Sequence, residues 1–202
     1  MVLCYNKKCI FIHIPKTAGT SVEQYLKDNG RNELLFDRFM FNRSLQHLTA
    51  LELKKQLGSV FNKYYKFSIV RNPYDRLLSE YFWTPVPHIG HKYGKTKGEF
   101  LQYVKNVVKN NAYFINFYND HFIPQYMFLY DKKKRLLTDN LFKYEDMEFI
   151  INYLKRKLGI SREFPHINKS IRDEAKDFWN EEDKENIYKL YETDFILFGY
   201  EK

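Results

Sequence analysis

The chain has 202 residues, 44% hydrophobic and 18% aromatic, enough apolar material for one buried core and too much for a disordered or collagen-like chain. Its two cysteines, Cys4 and Cys9, are too few for a disulfide framework or a four-ligand zinc site, so they read as reduced thiols and no metal is expected. The net charge of +8 is uneven: residues 172–202 carry ten acidic and five basic side chains, leaving +13 on residues 1–171, an excess that suits phosphates, sulfates or acidic polymers.

The run Cys9 to Ile14 is apolar on both faces and β-branched, the pattern of a strand inside a parallel sheet, and it ends at Pro15. It is too short to span a bilayer and no small-residue cleavage site follows it. Neither a signal peptide nor an anchor is therefore read, and a cytoplasmic address is expected. After the polar turn Lys16-Thr17-Ala18-Gly19-Thr20, the residues Val22, Tyr25 and Leu26 recur at helical spacing until Asn29-Gly30. Thr49 to Leu57 reads as a helix with Thr49 and Glu52 as a capping box, and His47 lies just ahead of it. Lys66 to Val70 is a second strand, passing through Arg71 into a helix with Asn72 as N-cap and Pro73 first. Leu77, Leu78, Tyr81 and Phe82 form that helix's apolar face. Gly98 to Asn110 is helical, His121 to Tyr130 holds a short extended piece, and Asp139 to Tyr144 is a strand running into a helix from Met147 to Leu158. A last helix covers Glu182 to Tyr191. No repeat or linker divides the chain, so residues 1–202 are expected to form a single α/β domain, an open parallel sheet flanked by helices with its ligand at the carboxyl ends of the strands.

The first turn sets Lys16, two threonines, Gly19 and Ser21 where helix-start N–H groups are unpaired and the helix dipole is positive, which makes an anion cradle. An ordinary capped helix with a surface lysine fits the same composition. The turn is not a Walker A loop, because that pattern demands a Gly-Lys-Ser/Thr order and here the lysine precedes the glycine by three.

Ile14-Pro-Lys-Thr-Ala-Gly-Thr-Ser21 instead resembles the 5′-phosphosulfate loop of sulfotransferases, which use 3′-phosphoadenosine 5′-phosphosulfate (PAPS) as donor. Phe67-Ser-Ile-Val-Arg-Asn-Pro-Tyr-Asp-Arg-Leu-Leu-Ser-Glu-Tyr81 resembles the 3′-phosphate segment of the same family, in the same order along the chain. The spelling of both motifs, His47-Leu48-Thr49, Pro124-Gln125, Tyr144-Glu145-Asp146 and the closing Asp194 to Tyr200 are similar to the carbohydrate-type branch, sulfotransferase family 2. The resemblance implies a P-loop-like sulfotransferase fold and sulfuryl transfer to a hydroxyl, with a saccharide acceptor and no metal. It places Pro15, Lys16, Thr17, Ala18, Gly19, Thr20 and Ser21 on the 5′-phosphosulfate, with Lys16 stabilising the departing oxygen. Arg71 and Ser79 then hold the 3′-phosphate, His47 is the catalytic base, and a late loop over the donor contributes Asn168, Lys169 and Ser170. The family's Golgi members carry a membrane anchor that is not read here, so the acceptor stays open.

Arg71 also makes sense alone, as a planar fork of donors at a strand end, or else as a partner of Asp75 or Glu80. Ser79 lies roughly 9 Å along its helix and rests on the resemblance only. Transfer to a hydroxyl needs a base, for which histidine is suited at neutral pH; His47 is otherwise a helix-capping or surface residue. His13 reads as a hydrogen-bonded core histidine, and His121 and His166 as further candidates. Lys132 to Arg135 is a solvated turn or a docking strip for an acidic acceptor, and the aromatics from Tyr113 to Tyr118 are core rather than a sugar platform. A P-loop kinase would want the Gly-Lys order and an acidic magnesium ligand. A basic nucleic-acid-binding module would want a zinc finger, RNP motif or helix-turn-helix. Neither set is readable, and no nucleic-acid partner is expected.

Overall fold

A computed structural model describes residues 2–27, 32–34, 39–40, 43–83, 96–116, 120–165 and 177–202. In chain order the strands are β1 (Val2–Cys4), β2 (Cys9–Ile12), β3 (Asn32–Leu34), β4 (Phe39–Met40), β5 (Arg43–Ser44), β6 (Tyr65–Val70) and β7 (Asn140–Lys143). The helices are α1 (Gly19–Leu26), α2 (Ala50–Leu57), α3 (Ser59–Lys63), α4 (Pro73–Trp83), α5 (Lys97–Asn116), α6 (Tyr126–Leu129), α7 (Met147–Leu158) and α8 (Glu181–Phe198). They group into two compact units, Met1–Arg71 with Gln125–Ile167, and Asn72–Pro124 with Asn168–Lys202.

The first unit is built on a five-stranded sheet in the order β3-β1-β2-β6-β7. As expected for an α/β chain, β2 runs parallel to β6, with Phe11 opposite Phe67, and β6 parallel to β7, with Ile69 opposite Phe142. Two further strands extend the sheet antiparallel, β1 on β2 and β3 on β1. The turn from Tyr5 to Lys8, closed by the Lys8 N–H on the Tyr5 carbonyl at 3.2 Å, leaves no room for a crossover and forces β1 and β2 into a hairpin. Helices α1 and α7 cover this sheet. Val22, Tyr25 and Leu26 of α1 and the Ile150, Leu154 and Leu158 stripe of α7 join Phe11, Phe67 and Phe142 in one core. Cys4 and Cys9 face each other across the hairpin as buried thiols with no disulfide between them. The hydrogen bond with Cys4, together with burial, pushes the Cys9 thiol far up, so it stays protonated.

Strand β2 stops at Ile12, so His13 and Ile14 leave the ladder and begin the loop. The expected extended piece at 121–130 is instead a turn into α6, with a single bridge between Tyr130 and Leu136. Pro124 has no N–H to give a ladder, and the Gln125 side chain is committed to the end of β6. Thr49 caps α2 as its spacing foretold: its Oγ1 accepts from the Glu52 N–H at 3.2 Å and its own N–H donates to Glu52 Oε2 at 2.8 Å.

In the second unit, α4, α5 and α8 bury Leu77, Leu78, Tyr81, Phe100, Tyr103, Val104, Val107, Ile187, Tyr191 and Phe195. Helix α5 runs six residues beyond its expected end at Asn110. Helix α8 continues past Tyr191 to Phe198, with non-helical dihedrals at Tyr191, whose hydroxyl donates to the Phe122 carbonyl at 2.9 Å. Gly199 in the left-handed region ends it. Among the described residues no helix is long and apolar enough to cross a membrane.

Candidate active site

Between β2 and α1 the backbone turns through two left-handed residues, Lys16 (φ 68°) and Ala18 (φ 66°). Non-glycine residues hold this conformation at a cost of about 1–3 kcal/mol each, and it persists where the surroundings over-determine it. Here the Thr17 hydroxyl, fully buried, donates to the Ile14 carbonyl at 2.9 Å and closes the loop. That proton is thereby committed inside the protein. Ala18 is the N-cap of α1 and no side chain caps the helix. The ordinary capped helix is thus not what the sequence builds here: α2 and α8 are closed by Thr49 and Asn180, whereas the first-turn N–H groups of α1 meet no capping side chain and carry the positive end of the dipole. Pro15 and Ser21 are buried, and Lys16, Ala18 and Thr20 half-buried.

Gly19 is required for a reason the sequence does not show. A Cβ at this position would lie 1.8 Å from His13 Nε2 and 1.9 Å from its Cδ2. The space that a Cβ at Gly19 would take is filled by an imidazole of the protein itself.

At the end of β6, Arg71 reaches the same loop, its Nη1 donating to the Lys16 carbonyl at 3.3 Å. Its guanidinium lies 4.1 Å from the centre of the Tyr144 ring, a contact worth about 0.5–2 kcal/mol. The Arg71 main chain is clamped from both sides by Gln125: Oε1 accepts from the Arg71 N–H at 2.9 Å and Nε2 donates to its carbonyl at 2.8 Å. Gln125 is fully buried and Arg71 only 5% exposed. Gln125 and Tyr144, one from each of the two dispersed motifs, therefore both hold Arg71.

His13 Nδ1 and Glu23 Oε1 are 2.8 Å apart, and Glu23 Oε2 accepts from Gln46 Nε2 at 2.8 Å. Burial would raise the Glu23 carboxyl, but opposing interactions, led by the hydrogen bond and charge of His13, hold the group below its ordinary value. His47 ends the 3-10 turn Leu45–His47 and sets its ring at 87° to that of His13, with centroids 4.9 Å apart. Because Thr49 caps α2 and His47 is only 6% exposed, His47 is neither a helix cap nor a surface residue. Arg71 thus meets the loop at Lys16, and His13, set against His47, meets it at Gly19.

A sulfotransferase family model matches residues 1–201. The chain belongs to the sulfotransferase family. Neither the comparison with curated proteins nor that with solved structures finds a match. The fold class agrees with this membership, and the general reaction of the protein is sulfuryl transfer.

The remaining expected site residues of this sulfotransferase are placed as follows. Ser79 is buried on α4 in the second unit. Asn168, Lys169, Ser170 and His166 lie outside the described residues. In the second unit His121 Nδ1 meets the buried Glu80 at 2.6 Å and its ring stacks on Trp83. Lys132 to Arg135 are exposed in a turn around Asp131, whose carboxylate accepts from the Lys133 and Arg135 N–H groups at 2.9 Å. Tyr113, expected in the core, is exposed because it lies on the outer face of α5. Among the described residues no group of three His, Cys, Asp or Glu could hold a metal ion. Sequence reasoning missed Glu23 and Gln46. The one available signal was a glutamate set between Val22, Tyr25 and Leu26 on the buried side of a short helix.

Proposed function

We propose that this sulfotransferase takes PAPS as donor and moves its sulfuryl group to a hydroxyl of a carbohydrate acceptor, residues 1–202 serving as a single domain. The observation that carries the reading is the joining of the two motifs: Arg71 from the second is bonded to Lys16 of the first, beside a helix start that no side chain caps. Such a start and a held guanidinium fit the two anionic ends of this nucleotide.

When bound, the donor supplies the sulfuryl group and a phosphate able to leave. The protein's own groups do the rest. Main-chain N–H groups of residues 17–21, with the Thr20 and Ser21 hydroxyls, hold the 5′ end, and Lys16 balances the charge that grows on the departing oxygen. Arg71 holds the 3′-phosphate, its fork aimed by Gln125 and Tyr144. Ser79, Asn168, Lys169 and Ser170 join the donor site on the family resemblance. His47 takes the acceptor's hydroxyl proton onto its imidazole, a role worth about 10²–10⁴-fold in rate.

The test has two steps. Adenosine 3′,5′-bisphosphate, the product of donor turnover, should raise the melting temperature without magnesium, while ATP with magnesium should not. At a hundred times its dissociation constant the gain is about 2.7 kcal/mol, or roughly 5–11 °C for a chain of this size. Labelled sulfate should then pass from PAPS to a saccharide in an acceptor screen. A response to ATP with magnesium alone would favour a kinase and overturn the proposal.

A further inference from the structure

A carboxylate inside a short helix is costly unless both its oxygens are bonded. Glu23 is 1% exposed and each of its oxygens holds a different segment. Oε1 meets His13, at the end of β2, and Oε2 meets Gln46, the residue before His47 in the 3-10 turn. His13 in turn presses its ring on His47 and lies against Gly19, where α1 begins. The turn that carries His47 is therefore held twice to α1: through the side chain of Gln46, and through the His13 ring.

We propose that Glu23 and His13 are positioning residues that fix His47 relative to the anion-binding start of α1; this rests on the reading of His47 as the base. The geometry sets what each group does. The ionised carboxylate accepts on both oxygens at once, so His13 carries its proton on Nδ1 and turns Nε2 to Gly19. An amide at position 23 has an acceptor oxygen on one side and a donor NH2 on the other, so its two ends cannot accept from His13 and Gln46 together. The imidazole of His13 is the flat wall against which His47 rests, and neither His13 nor Glu23 needs to touch donor or acceptor to matter.

The experiment is a double-mutant cycle read in single-turnover transfer from labelled PAPS, with affinity for adenosine 3′,5′-bisphosphate measured beside it. Glu23→Gln should lower the transfer rate about 10–100-fold, the usual loss when a group orienting a functional histidine is removed. Nucleotide affinity should stay within about threefold. In a His47→Ala background the same Glu23→Gln change should cost less than about twofold, because its route to the chemistry is gone. An equal loss in both backgrounds, or no loss in either, overturns the proposal. Should Glu23→Gln fail to fold, His13→Asn serves under the same criteria, since an asparagine retains an N–H donor for Glu23 and removes only the ring against His47. A wild-type protein that binds the bisphosphate and transfers sulfate, but whose cycle is additive, refutes the positioning role alone. One that does neither refutes the reading of the base as well.

Discussion

Replacing Gly19 by alanine tests how the loop between β2 and α1 is packed. On propensity alone the change should help, since alanine is favoured over glycine within a helix by about 1 kcal/mol, and Gly19 opens α1 without a positive φ. The structure predicts the opposite. The new methyl would sit 1.8 Å from His13 Nε2 and 2.5 Å from its Cε1. His13 has no easy retreat, being 4% exposed, stacked on Phe11 at 5.7 Å, set against His47, and bonded to Glu23. Overpacking of this kind costs about 1–3 kcal/mol, and tearing the charged hydrogen bond to Glu23 adds about 1.5–3 kcal/mol. After the propensity gain, Gly19→Ala should destabilise by about 1.5–5 kcal/mol, a fall in melting temperature of roughly 3–20 °C at this chain length. The decisive control is the same substitution in His13→Ala, where the ring is gone and Gly19→Ala should become neutral or stabilising. Thermal melts of the four proteins settle the matter. A single mutant that melts at or above wild type, or an equal penalty in both backgrounds, would refute the packing argument.

Lys16→Ala should lower transfer from PAPS by about 10²–10³-fold, the usual cost of removing one charge-stabilising donor, with the melting temperature nearly unchanged because the side chain is half-exposed; activity near wild type would remove Lys16 from the mechanism. Gln125→Leu deletes both bonds to the Arg71 main chain and should lose about 2–4 kcal/mol of stability in urea unfolding, with weaker binding of adenosine 3′,5′-bisphosphate. Since Glu23 is held below its ordinary value of 4.5, its stabilisation is full above that pH and disappears as pH falls through the lower folded-state value. Melting curves of Glu23→Gln between about pH 5 and pH 3 should therefore be flatter than those of wild type. Cys4 and Cys9, buried and with the Cys9 thiol pushed up, should resist a thiol reagent until urea unfolds the chain.

Much of the frame is local and was readable. The capping box of Thr49 and Glu52, Asn72 ahead of Pro73, and the full extent of α7 depend on residues within a few positions of one another. The errors fall where distant groups intervene. The segment 121–130 looks extended by composition, yet Gln125 is drawn to Arg71, 54 positions away in sequence. Helix α8 outlasts its expected end because Tyr191 is anchored to Phe122 and the helix can bend there. For the candidate site, the turn after β2 and Arg71 stood out by their spelling, but Glu23 did not: a lone acid in an amphipathic helix carries no mark of what its oxygens will meet.

The sequence by itself determined the strands β2, β6 and β7, the helices that follow them, the two motif-bearing turns and membership of the sulfotransferase family, because hydrophobic period, caps and short motifs are properties of neighbours along the chain. Only the tertiary structure decided that α1 begins uncapped, that Arg71 closes on the Lys16 carbonyl, and that one carboxylate ties His13 to the turn bearing His47. Those facts arise from groups brought together across 10 to 55 positions, where burial makes every unpaired charge costly and so selects which partners must meet.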